Sequence, residues 1–270
     1  MKTILITGST DGIGMQTAIE LAQMGNEVIV HGKNENRGKE VVDNIKRLSN
    51  NDAVHYFNAD FTDFNEIRKL ADAIKSSFPK LDVLINNAGV FENGRIILPN
   101  GLEKTFMVNH MATFALTIQL LNILKASDEG RIVNVSSMAQ AGTIDFDNLN
   151  GEKYYDDYNA YALSKLENVL FTYKLARELK NTHITSNCLH PGVISTKLLH
   201  KGWGSGGASV EEGAKTSVFV ATSESLTGKS GLYFVNSAER RSSAISYDKK
   251  IQERLWEISL ELSKLNNPFS

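Results

Sequence analysis

TILITGSTDGIGMQTAIELAQMGNEVIV, residues Thr3 to Val30, holds three elements in a telling order. Thr3 to Thr7 is a short apolar run with β-branched residues, the composition of a buried strand, and it ends at Gly8. Met15 to Met24 reads as helix and stops at Gly25, and Val28 to Val30 supplies the next strand. The glycines therefore stand at a strand-to-helix turn. Backbone amides at a helix N-terminus attract phosphate, and residues without a Cβ let a pyrophosphate come close. Gly8, Ser9, Thr10, Asp11, Gly12, Ile13 and Gly14 are the candidate dinucleotide-phosphate turn. A plain tight turn would use the same glycines, so the rest of the chain must decide.

Working outward, the pattern repeats. Val41 to Leu48 reads as helix, Ala53 to Asn58 as strand, Phe64 to Phe78 as helix and Leu81 to Ile85 as strand. Leu102 to Lys125 is a long helical stretch, followed by a strand at Arg131 to Val135, a helix across Tyr158 to Lys180 and a strand at His183 to Leu189. Val210 to Ala221 reads as helix, Gly231 to Val235 as strand and Asp248 to Leu265 as a C-terminal amphipathic helix. The expected fold is α/β: a single Rossmann-like domain over residues 1–270, with a doubly wound parallel sheet of about seven strands and helices on both faces. The Gly-rich segment 197–215, containing Trp203, is expected to be a lid over an apolar ligand.

In such folds, ligands bind at the carboxyl ends of the strands. The second strand ends in His31-Gly32-Lys33-Asn34 without a carboxylate, so Lys33, with Arg37 as a second candidate, suits a 2′-phosphate; NADP is favoured over NAD, which Glu35 nearby would serve. Asp60 and Phe61 follow the third strand, where the Asp either accepts from an adenine amino group or forms a local turn ahead of Asp63. Asn87, Ala88 and Gly89 follow the fourth and let a ligand approach the backbone. Asn109 is disfavoured mid-helix, which suggests a buried hydrogen-bonding role. Ser137 ends the fifth strand with a hydroxyl. Pro191, Gly192, Val193 and Thr196 follow the sixth.

Tyr161 and Lys165 lie on one face of the helix whose apolar stripe is Ala162, Leu166, Val169, Tyr173 and Ala176. A neighbouring ammonium is expected to lower the phenol's pKa from its usual value of ~10, giving a usable acid or base. Tyr154, Tyr155 and Tyr158 precede it, but none has a Lys four positions later.

Composition narrows the class. A net charge of -2 and one cysteine leave no footprint for nucleic acid and no intrachain disulfide, and the six scattered histidines form no metal motif. No apolar stretch is read as a bilayer span, and no cleavable leader is seen, so a cytoplasmic protein is expected.

Thr7-Gly8-x-x-x-Gly12-x-Gly14, Asp60, Asn86-Asn87-Ala88-Gly89, Asn109, Ser137, Tyr161-x-x-x-Lys165 and Pro191-Gly192 closely resemble the short-chain dehydrogenase/reductase family over nearly the whole chain. Arg131 to Ser137, the spacer with Asn148 to Lys153, and His190-Pro191-Gly192 resemble its retinol-dehydrogenase-like branch. The resemblance implies hydride transfer between nicotinamide and a lipophilic carbonyl/alcohol substrate. Tyr161 would be general acid or base, Ser137 would hold the substrate oxygen, and Lys165 would lower the Tyr161 pKa and bind ribose. Asn109 would hold a proton-relay water. Asp60 would contact adenine, and Pro191 to Thr196 the nicotinamide. A homodimer or homotetramer is also implied. The alternatives are a catalytically silent dinucleotide-binding sensor or scaffold, which predicts a degraded site, and a sugar-nucleotide epimerase, which the short chain after Pro191 disfavours.

Overall fold

A computed structural model describes residues 1–270. One eight-stranded sheet runs in the order β3-β2-β1-β4-β5-β6-β7-β8. Its strands are β1 (Thr3–Ile6), β2 (Glu27–Gly32), β3 (Val54–Asn58), β4 (Val83–Asn86), β5 (Gly130–Val135), β6 (Ile184–His190), β7 (Tyr233–Val235) and β8 (Ala238–Arg240). The first seven are parallel, and β8 returns antiparallel on β7 through Asn236 and Ser237, both left-handed at φ 51° and 57°. The eighth strand corrects the expected count: three residues carry too little pattern to be read from sequence.

Side chains alternate between the sheet's faces. Ile4, Ile6, Val28, Val30, Val83 and Ile85 pack against α1 (Gly12–Gln23), α2 (Glu35–Ser49) and α8 (Val210–Thr222). Leu5, Ile29 and Leu84 point the other way, into a larger core with α3 (Phe64–Ser77), α5 (Ala112–Leu124) and α6 (Asp157–Glu178). Each such aliphatic side chain contributes roughly 1.5–3 kcal/mol by leaving water.

The long helical stretch is composite. A single turn, α4 (Lys104–Phe106), leads through a π-helical segment at Met107–Met111 into α5. Lys104–Leu124 has the length and mean hydropathy, 1.3, of a membrane span, contrary to the sequence expectation, but 89% of it is buried inside the fold as a core helix. A further departure is α7 (Lys197–Trp203), a helix within the segment read as a Gly-rich lid. Finally, α9 (Lys249–Ser263) lies on α6, with Leu255 against Leu166 and Leu170, and Trp256 5.2 Å from Phe114 between ring centroids.

Candidate active site

The chain builds β1, β2 and β3 outward and then returns to place β4 on the other side of β1. Connections leaving β1 and β4 diverge to opposite faces, and a cleft of about 750 Å³ opens at their carboxyl ends.

The glycine turn forms one wall. Gly8 has φ +63°, and a Cβ there would stand 2.8 Å from Ala88 Cα; a Cβ on Gly14 would collide with Asn87 Nδ2 and, at 2.5 Å, with Gly8 O. Only residues without side chains fit. Thr7 Oγ1 accepts from the N–H groups of Asn87 and Ala88, both at 3.0 Å, and Asn87 Nδ2 donates to Thr7 O at 2.9 Å. The turn is thus pinned to the loop after β4. His31 holds it from the other side: its Nδ1 accepts from Gly8 N at 3.2 Å while Nε2 donates to Ala59 O at 3.1 Å. Burial pushes this imidazole down to about 4, so it is neutral, and it stacks on Phe61 at 4.3 Å. Sequence reasoning quoted His31 without giving it work; its signal was a polar side chain at the end of a buried strand.

Thr10, Asp11, Gly12, Ile13, Gly14 and Gly8 line the cleft. Ser9 does not: its hydroxyl donates to Ile6 O at 2.7 Å and accepts from His31 N at 3.1 Å, turned into the fold. Asp11 caps α1 and pairs with Arg37 at 3.1 Å and Lys197 at 2.8 Å. Burial favours its protonated form, but the Lys197 hydrogen bond and the Arg37 charge outweigh it and hold the carboxyl below its usual range. Lys33, Asp60 and Phe61 line the same cleft past the ends of β2 and β3. Asp60 Oδ1 accepts from Thr62 N at 3.0 Å, the local turn weighed above, while the residue still faces the cleft; Asp63 caps α3. Glu35 pairs with Lys39 at 2.7 Å on the surface.

At the other end, Ser137, Tyr161 and Lys165 converge with Asn87, Ala88 and Gly89. Tyr161 is 7% exposed and Lys165 3%. Lys165 Nζ lies 5.5 Å from the Tyr161 ring centroid and donates to Val135 O at 3.1 Å. The expected lowering of the phenol pKa is corrected: burial pushes Tyr161 up to about 12, with the Ser137 hydroxyl working against it and Tyr158 adding to it. The same burial pulls Lys165 down to about 8. Ser136 also lines the cleft, but its hydroxyl donates to Lys165 O at 2.6 Å, which leaves the Ser137 hydroxyl as the one free to donate there.

Asn109 is wholly buried and outside the cleft lining. Its Oδ1 accepts from Val90 N at 2.7 Å, and Nδ2 donates to Val90 O at 3.0 Å and to Ser164 Oγ at 2.9 Å. Ser164 Oγ in turn donates to Tyr161 O at 2.7 Å. The amide joins the β4 loop to the tyrosine helix. Ser164, absent from the sequence reading, completes this link.

Pro191, Gly192, Val193 and Thr196 line the cleft below α7, which Thr196 caps. Trp203 at the far end of α7 sits 5.0 Å from Phe91, 5.5 Å from Tyr161 and 6.0 Å from Tyr158 between ring centroids. The residues fit a nicotinamide dinucleotide: a cradle that any Cβ would fill lies at one helix N-terminus, and a buried ammonium and phenol lie beyond it.

The family described as short chain dehydrogenase matches residues 2–203. Human polyprenol dehydrogenase is 36% identical over 97% of this chain and 85% of its own length, and human retinol dehydrogenase 13 is 37% identical over 99% and 86%. Among solved structures, an uncharacterised Mycobacterium paratuberculosis protein superposes with a TM-score of 0.84 at 29% identity, covering 99% of this chain and 95% of that one. An Escherichia coli CFT073 short chain dehydrogenase complexed with NADPH gives 0.72 at 25% identity, covering 88% and 97%. The chain belongs to the short-chain dehydrogenase family, in its retinol-dehydrogenase-like branch, and is an NAD(P)-dependent oxidoreductase of alcohols and carbonyls.

Proposed function

We propose that the chain reduces a lipophilic carbonyl with NADPH, and oxidises the matching alcohol in reverse, with Tyr161 as general acid or base. The observation that carries this is the meeting of Tyr161, Ser137 and Lys165 in the cleft that the glycine turn walls. The nicotinamide supplies the hydride when bound. In reduction, the neutral Tyr161 phenol donates its proton to the substrate oxygen while the Ser137 hydroxyl donates a hydrogen bond to it. Lys165, charged below about 8, stabilises the phenolate left behind and is the ribose-binding cation. Gly8 to Gly14 hold the pyrophosphate, with Ser9 supporting the turn from behind. Asp60 and Phe61 flank adenine, Asn87 to Gly89 the adenosine side, and Pro191 to Thr196 the nicotinamide. Trp203, on α7, acts as a lid against Phe91 and Tyr158, excluding water from the reacting end.

NADP over NAD is supported by Lys33 in the cleft and by Glu35, the carboxylate that would serve NAD, being spent on Lys39. A homodimer or homotetramer joined through α6 would share that helix with α9.

Purified protein mixed with NADPH and a panel of lipophilic aldehydes and ketones should consume NADPH absorbance, and Tyr161→Phe should not. Cofactor binding without turnover across the panel would defeat the proposal. Titration of NADPH against NADH on Lys33→Ala tests the preference: an equal loss for both removes Lys33 from the 2′-phosphate.

A further inference from the structure

Ser137 reaches the cleft from the loop between β5 and α6, and three hydrogen bonds decide how its hydroxyl is presented. The Ala139 N–H donates to Ser137 Oγ at 3.0 Å, closing a turn within the loop. With that acceptor site engaged, the hydroxyl keeps its one proton for an acceptor in the cleft. The carbonyl of the same residue accepts twice, from Gln140 Nε2 at 2.7 Å and from the Tyr233 hydroxyl on β7 at 3.0 Å. Two donors use both lone pairs of that oxygen and fix the peptide plane after Ser137.

Both donors are themselves anchored. Tyr233 is 3% exposed and packs with Val169, Tyr173 and Cys188 between the sheet and α6. Burial holds its phenol above the ordinary value, so it is a neutral donor. Gln140 Oε1 accepts from Ser243 N at 3.0 Å, in the segment between β8 and α9, and this bond turns the Nε2 end of the amide toward Ser137. One residue further, Ala141 N donates to Ala162 O at 3.1 Å, which registers the loop on α6 beside Tyr161. Neither Gln140 nor Tyr233 lines the cleft.

We propose that Gln140 and Tyr233 are positioning residues for the reaction: together they hold the Ser137 turn so that its hydroxyl and the Tyr161 phenol meet one substrate oxygen. This deepens the reading of the site and rests on Ser137 as the donor to that oxygen. A donor stabilises developing charge in full only when it is aligned before the reaction begins. With its carbonyl released, Ser137 can rotate about ψ, which draws Oγ off the Ala139 amide and swings the hydroxyl off the substrate. Because neither positioning residue touches substrate or cofactor, the loss falls on kcat, with KM and NADPH affinity kept.

The test uses the full chain with NADPH and octanal as a lipophilic aldehyde. Gln140→Glu keeps an acceptor for Ser243 N while losing the donor to Ser137 O, and Tyr233→Phe removes only a hydroxyl. Each should lower kcat about tenfold, part of the roughly 10²–10³ that an oxyanion donor is worth. KM for octanal and Kd for NADPH should stay within about twofold. Placed on Ser137→Ala, the same substitutions should change kcat by less than about twofold, because the hydroxyl they position is gone. Hydrogen exchange over residues 136–142 should quicken in both variants while the rest of α6 and β7 stays protected, a reading independent of turnover. An unchanged kcat, an equal loss with and without the Ser137 hydroxyl, or unaltered exchange in the loop overturns the positioning role and leaves Tyr161 catalysis standing. Full kcat in Ser137→Ala alone would instead remove Ser137 from the substrate oxygen, and no turnover of any lipophilic aldehyde by the unmodified chain would defeat the reading of the site; either takes this role with it.

Discussion

The Nδ1 of His31 accepts the Gly8 amide at 3.2 Å, so a buried imidazole on β2 fixes the conformation of the glycine turn on β1. Its Nε2–H is spent on Ala59 O, which sets the tautomer and ties in the end of β3. His31→Phe keeps a ring against Phe61 but leaves the Gly8 N–H and Ala59 C=O unpaired, a loss of roughly 1–3 kcal/mol. The loosened turn should also bind NADPH roughly tenfold more weakly, about 1.4 kcal/mol, measured by fluorescence titration. Unchanged NADPH affinity in a folded variant would show that the turn needs no such anchor.

The same residue makes the fold acid-sensitive. Unfolded histidine takes a proton near its reference value of 6.5, while folded His31 resists until about 4. Protons therefore favour the unfolded chain: stability is full above 6.5, falls as pH drops through that window, and levels off below 4. A displacement of this size is worth roughly 3 kcal/mol. His110, pushed by burial to about 3, acts with the same sign. Thermal melts from neutral to acid pH should show the fall, and His31→Phe should make it shallower.

Catalysis carries its own pH signature. A phenol at about 12 is protonated throughout the working range and ready to donate, so the limit on reduction is Lys165, which loses its charge near 8. kcat/KM for carbonyl reduction should be flat below that pH and decline above it. Tyr161→Phe should lower the rate by roughly 10²–10⁴-fold at every pH, the usual worth of a positioned acid.

The direction of the Tyr161 shift marks where the sequence stops being informative. Four-residue spacing places the Lys165 stem beside the phenol, but whether charge or burial prevails depends on the walls, Phe91 from the β4 loop and Trp203 from α7, which no local pattern specifies. The central strands were legible because parallel strands buried on both faces are apolar throughout. The helix α7 was not, because Gly202 and Gly204 read as loop; the structure secures it with the Thr196 cap, Lys197 on Asp11 and Lys201 on Glu92. Asn109 was rightly suspected of a buried hydrogen-bonding role, yet its partners, Val90 and Ser164, sit far away in sequence.

That clamp is testable. Asn109→Ala would strand the Val90 N–H and C=O, costing roughly 1–3 kcal/mol in a urea melt. Ser164→Ala, which removes the links to Tyr161 O and to Asn109 Nδ2 but keeps the Asn109–Val90 pair, should cost less while still lowering kcat by releasing the turn that carries the phenol. An intact kcat in Ser164→Ala would confine the clamp to stability.

Glu167, two positions after Lys165 and so on the opposite side of α6, points to the opposite kind of mutation. It is 0% exposed, both carboxyl oxygens lack a hydrogen-bond partner, and it borders a second cavity of about 190 Å³ together with Glu103. Burial, reinforced by the Glu103 charge, raises its pKa well above the usual carboxylate value. The folded form thus holds a proton that the unfolded chain releases above about 4.5, so this group costs stability increasingly as pH rises from there. Glu167→Gln removes the titration and Glu167→Leu also fills apolar space beside Phe106 and Leu163. Either should stabilise the chain at neutral pH by roughly 1–3 kcal/mol, the desolvation penalty of an unsatisfied polar group, and raise Tm by about 2–4 °C per kcal/mol. The Glu167→Gln gain should vanish below pH 4.5, where the carboxyl is protonated in both states, while the part of the Glu167→Leu gain that comes from filling apolar space should remain. A destabilised Glu167→Gln at neutral pH would mean that this carboxyl is satisfied in solution, and with it the account of α6 as carrying one unpaid burial would fail.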